Sequence, residues 1–92
     1  MTVTAAEVFE IRVLPTVARW WGYRFSFYSR EPDEPPHVHV VKGSGQAKFW
    51  LADGSLAKSV GFAGHELTRI AQKVRRDRDL FLRAWNDFFG RS

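Results

Sequence analysis

From Gly22 the chain alternates, with Tyr23, Phe25 and Phe27 interleaved with Arg24, Ser26 and Tyr28. That period of two is the signature of a half-buried strand, and it predicts a first strand ending near Tyr28. Residues 29–36 read Ser-Arg-Glu-Pro-Asp-Glu-Pro-Pro, and three prolines in so short a stretch predict an irregular connection. His37 to Lys42 reads as a second short strand, followed by the permissive hairpin turn Gly43-Ser44-Gly45. A third strand runs from Gln46 to Leu51, where Ala47, Phe49 and Leu51 alternate with Gln46, Lys48 and Trp50, and Asp53-Gly54 closes it with a turn signal. Ser55 to Val60 fits either a fourth short strand or an irregular segment. In the first fourteen residues Thr4 and Glu7 form a capping-box pattern, but the alternation of Phe9, Ile11 and Val13 with Glu10 and Arg12 favours a strand.

After Gly61 the period lengthens. Leu67, Ile70, Ala71 and Val74 fall at helical spacing, with Arg69, Lys73 and Arg76 as a basic stripe on another face. The charged run Arg75-Arg76-Asp77-Arg78-Asp79 interrupts the apolar pattern, which resumes at Phe81, Ala84, Trp85 and Phe88, so a break and then a second helix ending near Gly90 are expected. Sheet first and helices after predicts an α+β fold: a small antiparallel sheet of three to four strands, one face covered by two C-terminal helices. Residues 15–92 form a single α+β domain, and residues 1–14 are an N-terminal extension.

Successive strand side chains point to opposite sides, so the three strands define two faces. Tyr23, Phe25, Phe27, Val38, Val40, Ala47, Phe49 and Leu51 form an apolar face for the helices to cover. Arg24, Ser26, Tyr28, His37, His39, Gln46, Lys48 and Trp50 collect on the other as a polar, aromatic and basic platform without a carboxylate. The bland reading of such a platform is the solvated side of an antiparallel sheet.

The sharpest local feature is His37-Val38-His39, two imidazoles about 6.6 Å apart on one side of a strand. The pair could act as general base and general acid on a phosphodiester, with Lys48 on the neighbouring strand stabilising the charged phosphorane. It could instead bind one transition metal, with Glu34 or His65 as third ligand, or simply hydrogen-bond the proline-rich connection and its acids. Arg19-Trp20-Trp21-Gly22-Tyr23-Arg24 interleaves cations with aromatics, the combination that base stacking and phosphate pairing require, although core packing explains aromatics as well. Arg24, Tyr28 and Trp50 on the platform, with Arg69, Lys73 and Arg76 on the helix, are the candidate nucleic-acid contacts. No Gly-rich phosphate loop, nucleophile elbow or zinc-protease helix motif is present, and no cofactor is expected.

Composition narrows the classes. Ninety-two residues, 45% hydrophobic and 26% charged, make one globular domain. With no cysteine, a disulfide framework, a thiolate metal site and a thiol nucleophile are excluded, as expected of a cytoplasmic protein. No apolar run approaches the roughly 20 residues that cross a bilayer, and Met1-Thr2-Val3-Thr4 lacks the basic start of a signal peptide, so no membrane partner is expected. Net charge is +4 and the isoelectric point is near 10.0, which favours anionic partners.

Gly22-Tyr23-Arg24-Phe25, Tyr28-Ser29, Glu34-Pro35-Pro36-His37-Val38-His39-Val40 and Ala47-Lys48-Phe49-Trp50-Leu51 together resemble the prokaryotic domain of unknown function 4160 family. The resemblance extends from Pro15-Thr16-Val17 through Gly61-Phe62 to Ala84-Trp85-Asn86, with Glu-Pro-Pro-His-x-His as its most specific part. Trp20-Trp21 departs from the family pattern by replacing less bulky residues. The family has no established activity. The resemblance implies a small basic component of a two-gene, toxin–antitoxin-like module, with a cognate protein partner encoded nearby and RNA as a target. The expected function is therefore RNA binding or metal-independent RNA cleavage: His37 and His39 form the acid–base pair, Lys48 stabilises phosphate, and Arg24 and Trp50 position substrate. The alternatives are a non-catalytic module docking its partner through the sheet face or edge, and a His-x-His metal-binding protein.

Overall fold

The computed structural model of the protein describes residues 16–28 and 33–90. Among the described residues are five strands and two helices: β1 (Ala18–Trp20), β2 (Tyr23–Ser26), β3 (His37–Lys42), β4 (Gly45–Trp50), β5 (Leu56–Val60), α1 (Gly64–Arg76) and α2 (Arg78–Phe89). Every neighbouring pair of strands is antiparallel, and the order in the sheet is the order in the chain. The α+β architecture agrees with the sequence pattern, but the sheet has five strands where three to four were expected. Leu56–Val60 is the uncertain segment resolved as a strand, and Ala18–Trp20 is an addition. The strand read in residues 9–13 lies outside the described residues.

β1 escapes the sequence pattern because it is three residues long and the turn after it is disguised. Trp21 and Gly22 both have positive φ, at 54° and 83°, as a type I′ hairpin turn demands of its two central residues. That turn ordinarily announces itself as Asn-Gly or Asp-Gly; here tryptophan holds the first position.

Alternation allocates the faces as expected. Tyr23, Phe25, Phe27, Val38, Val40, Ala47, Phe49 and Leu51 are all buried, under Ile70 and Val74 of α1 and Phe81 and Trp85 of α2. Ring packing fixes the contact: Phe81 lies 5.5 Å from Phe25, and Trp85 meets Phe27 edge-on at 5.3 Å. Glu66 starts α1 by accepting the Ala63 backbone N–H at 3.1 Å and ties it to the sheet by accepting the Tyr23 hydroxyl at 2.8 Å. Lys73, Arg75 and Arg76 occupy the last turn of α1, where the helix dipole favours cations. Asp77 separates the helices; its N–H still bonds the Lys73 carbonyl, and its carboxylate pairs with Lys73 and Arg76. Gly54, with φ of 73°, carries the β4–β5 turn against α1, where a Cβ would overlap Arg75 and press on the Ala71 carbonyl. Among the described residues no helix is long and apolar enough to cross a membrane.

Phe25→Ala, Phe49→Ala and Trp85→Ala should each lower unfolding free energy by about 3–5 kcal/mol, because each leaves a cavity under the helical layer. Denaturant titration of the three variants measures it, and for Phe25 a cost nearer about 1 kcal/mol would mean that the helices do not clamp the sheet there.

Candidate functional site

Among the described residues both helices lie on one side of the sheet, and the strand registers fix what the other side carries: Ser26 and His39 are buried there, while Arg19, Arg24, Gln46 and Lys58 are exposed. Ser26, His39, Lys48 and Lys58 lie in one row across β2, β3, β4 and β5. Arg19, Arg24, Val41, Gln46 and Val60 form the adjoining row across all five strands. His37 faces Trp50 at the far end. Two pairs of directly opposed residues in these rows are thus like-charged: Arg19 against Arg24, and Lys48 against Lys58. Between the rows is a concavity of about 250 Å³, lined on this face by Tyr28, His39, Gln46, Lys48, Lys58 and Val60.

The two lysines differ in their surroundings. Lys48 is held, with Nζ 2.5 Å from Glu34 Oε1 and 4.9 Å from the centre of the Trp50 ring. Lys58 is exposed, and among the described residues no ion pair reaches it. Glu34 corrects the expectation of a platform without carboxylates: it arrives from the proline-rich connection, which alternation along the strands does not cover.

His37 and His39 stand side by side as the spacing requires, 5.2 Å between ring centres. Neither belongs to a solvated platform. His37 is completely enclosed, its ring among His39, Trp50 and Trp85, and its Nδ1 2.9 Å from the Pro35 carbonyl. A carbonyl only accepts, so Nδ1 carries the proton. Glu34 Oε1 is 3.8 Å from the same nitrogen, while Pro36 anchors the connection by accepting the Leu51 N–H. His39 is 8% exposed, its ring lying flat on Tyr28 with centres 3.6 Å apart and planes 5° from parallel. Among the described residues no group of three or more His, Asp or Glu side chains gathers as a metal site; His65 stands exposed on α1.

The structure divides the candidate nucleic-acid contacts. Arg24, Tyr28 and Trp50 share the open face with Lys48. Arg69, Lys73 and Arg76 lie on the helical side, against the β1–β2 hairpin: Arg69 is 5.7 Å from the Trp21 ring, and Lys73 and Arg76 are 5.6 and 5.9 Å from Trp20. Arg19 and Lys58, both prominent on the open face, were hidden because β1 and β5 were not secure strands; once Ala18-Arg19-Trp20 is paired with β2, alternation points Arg19 outward.

Two ionisable groups behind the hairpin are perturbed. Burial pushes the Tyr23 phenol above its ordinary value, and its hydrogen bond to Glu66 raises it further. The Ala63 N–H holds the Glu66 carboxyl below its ordinary value, with the Tyr23 hydroxyl adding to the effect.

Comparison with known proteins gives one match. A family model described as Domain of unknown function (DUF4160) covers residues 22–86. No curated protein and no solved structure matches.

Glu66 predicts a pH effect of known sign. A depressed Glu66 contributes stability above the ordinary glutamate range near pH 4 and loses it as pH falls through the folded-state value, so Glu66→Gln should flatten the acid limb of a melting-temperature profile between about pH 2 and 5. An unchanged limb would remove Glu66 from the account. His37→Ala should cost about 2–4 kcal/mol in denaturant titrations, as an enclosed ring that leaves a cavity and an unmet Pro35 carbonyl. Lys58→Ala should change stability by less than about 0.5 kcal/mol, and in the stabilising direction where the opposition to Lys48 is felt.

Proposed function

The chain belongs to the family described as Domain of unknown function (DUF4160), and we propose that its open sheet face binds single-stranded RNA. The observation that carries this reading is the pair of opposed like charges, Arg19 against Arg24 and Lys48 against Lys58. Like charges directly opposite on one face of an antiparallel pair destabilise it, by an amount of order 0.2–1 kcal/mol each. A polyanion laid across the rows relieves the Arg19–Arg24 repulsion and whatever Glu34 leaves of the Lys48–Lys58 one, and releases counterions as it binds. The concavity beside Lys58 offers Gln46 as a further hydrogen-bonding group, and the Tyr28–His39 stack and Trp50 supply aromatic surface near the cations. Single-stranded RNA is favoured over duplex because a shallow sheet surface with the half-buried rings of Tyr28 and Trp50 suits splayed bases and offers no element to insert into a groove.

The cleavage expectation draws no support from the histidines, since His37 is enclosed and reaches no external phosphodiester. The reading as a binding protein needs neither imidazole to titrate: His39 provides part of the floor, and His37 holds the connection that brings Glu34 to Lys48. In the two-gene, toxin–antitoxin-like setting implied by the family resemblance, this face is the RNA-recognising surface of a cytoplasmic protein, and the neighbour-encoded partner docks elsewhere or competes for it.

Binding of a labelled single-stranded RNA of about 20 nucleotides, followed by anisotropy at several salt concentrations, tests the proposal. Log affinity should fall linearly with log salt, with a slope of about −0.7 for each phosphate neutralised. Lys58→Glu should weaken binding by about tenfold or more and reduce the slope, while raising stability by a few tenths of a kcal/mol as the opposed charges become complementary. Intact affinity in Lys58→Glu would overturn the reading. RNA that is cut in the presence of EDTA, with cutting lost in His39→Ala, would restore the acid–base account in its place.

A further inference from the structure

The open face leaves one prominent feature unused. Trp21 is 71% exposed, and it is the non-glycine residue with positive φ among those described. Both properties work against the fold. A bulky side chain is strained in the left-handed region, and the first central position of a type I′ turn favours Asn, Asp or Gly. An indole in water gains nothing from burial, whereas its neighbour Trp20 is half-buried and stacks on Tyr23 at 5.9 Å. The turn is nevertheless held in this form, because Lys42 Nζ donates to the Trp21 carbonyl at 3.0 Å. Strain and exposure at one residue, kept by a dedicated contact, direct attention to what the ring itself does.

Its surroundings are cationic. Arg69 lies 5.7 Å from the Trp21 ring, and Lys73 and Arg76 flank Trp20. The acids in this corner are engaged within the fold: Glu66 by Tyr23 and the Ala63 N–H, Asp77 by Lys73 and Arg76. Protein interfaces deplete charge around their buried aromatic anchors, whereas single-stranded nucleic acid is gripped by rings set among Arg and Lys. The turn is also continuous with the open face. Arg19 and Arg24 sit two residues before and three after Trp21, in the row that runs on through Val41 to Gln46 at the concavity. From Gln46 on β4 to Arg19 on β1 is three inter-strand spacings, about 15 Å.

We infer that the β1–β2 turn is a base-stacking subsite for single-stranded RNA, in which Trp21 takes an unpaired base on its exposed ring while Arg69, Arg19 and Arg24 neutralise the flanking phosphates. It shares its ligand and Arg19 and Arg24 with the proposed function and rests on that reading for the class of ligand, but it adds Trp21 and Arg69, which that face does not use.

Trp21→Asn, Trp21→Phe and Lys58→Glu, measured in parallel with a mixed-sequence single-stranded RNA of about 20 nucleotides and with a duplex of the same length, separate the two. Trp21→Asn should raise the melting temperature, since asparagine suits the turn, and should weaken single-strand binding at least about fivefold. Its duplex binding should stay unchanged, because paired bases offer no face to stack on. Trp21→Phe should keep single-strand affinity within about threefold of the unmodified protein. Unchanged single-strand affinity in Trp21→Asn overturns the subsite, as does an equal loss in Trp21→Phe, which would mean that the ring does not stack. A lower melting temperature in Trp21→Asn overturns the argument from strain. If Lys58→Glu weakens binding and Trp21→Asn does not, the open face stands and the turn falls. The reverse result leaves the turn and removes the concavity, and absence of single-strand binding by the unmodified protein overturns both.

Discussion

The protein depends on a small set of aromatic contacts between two layers. Phe25 against Phe81, and Phe27 against Trp85, hold α2 on the apolar inner face of the sheet, beside Ile70 and Val74 of α1. α1 adds only Ile70 and Val74 to the buried set, so the aromatic rings of α2 and β2 supply most of the area removed from water at that contact. Because both helices go to the same side, the opposite side is free to carry charge. That asymmetry divides the labour in so short a chain: a packed layer stiffens the sheet from behind, and the front carries its charge.

Much of this was legible in the sequence, for a reason tied to period. Alternation in Tyr23-Arg24-Phe25-Ser26-Phe27 and in Ala47-Lys48-Phe49-Trp50-Leu51 sorts every residue of those strands to a face, and every residue sorted to the helical side is buried, although Ser26 on the other side is buried too. Helical spacing from Leu67 onward, broken by the charged run at Asp77, gives two helices in their proper places. Illegible parts were those in which tertiary contact overrides local pattern. β1 is too short to show a period, and its turn lacks the residue pair that signals one. Glu34 reaches Lys48 from residues 33–36 of the proline-rich connection, which lie outside the strands and are tied to β4's end by the Leu51 N–H on the Pro36 carbonyl. His37 shares the side of polar residues yet is enclosed, since the same connection and Trp85 close around it. A strand pattern says which way a side chain points, and it is silent about what comes to cover it.

Places where the chain departs from its own stability rules are close together. Opposed arginines on β1 and β2, opposed lysines on β4 and β5, and an exposed tryptophan in a left-handed turn each make the isolated fold less stable than an alternative residue would. All three bear on one continuous stretch of surface. Glu34 is the exception that clarifies the rest: of the two opposed lysines it pairs with Lys48 alone, so one is held by an internal carboxylate and the other, Lys58, faces water.

The strand order of the sheet has a consequence for how the chain acquires its form. Each strand pairs with the next in sequence, across connections of two, ten, two and five residues, so every ladder closes a short loop at small entropic cost. The helices that cover the sheet come afterwards. During synthesis the meander can therefore assemble while its aromatic side, with Phe25, Phe27 and Phe49, still lies open, and it stays adhesive until Phe81 and Trp85 have left the ribosome. The interval between pairing and covering is the period in which the nascent protein is most vulnerable to aggregation, and its length is set by the rate at which about thirty residues are translated.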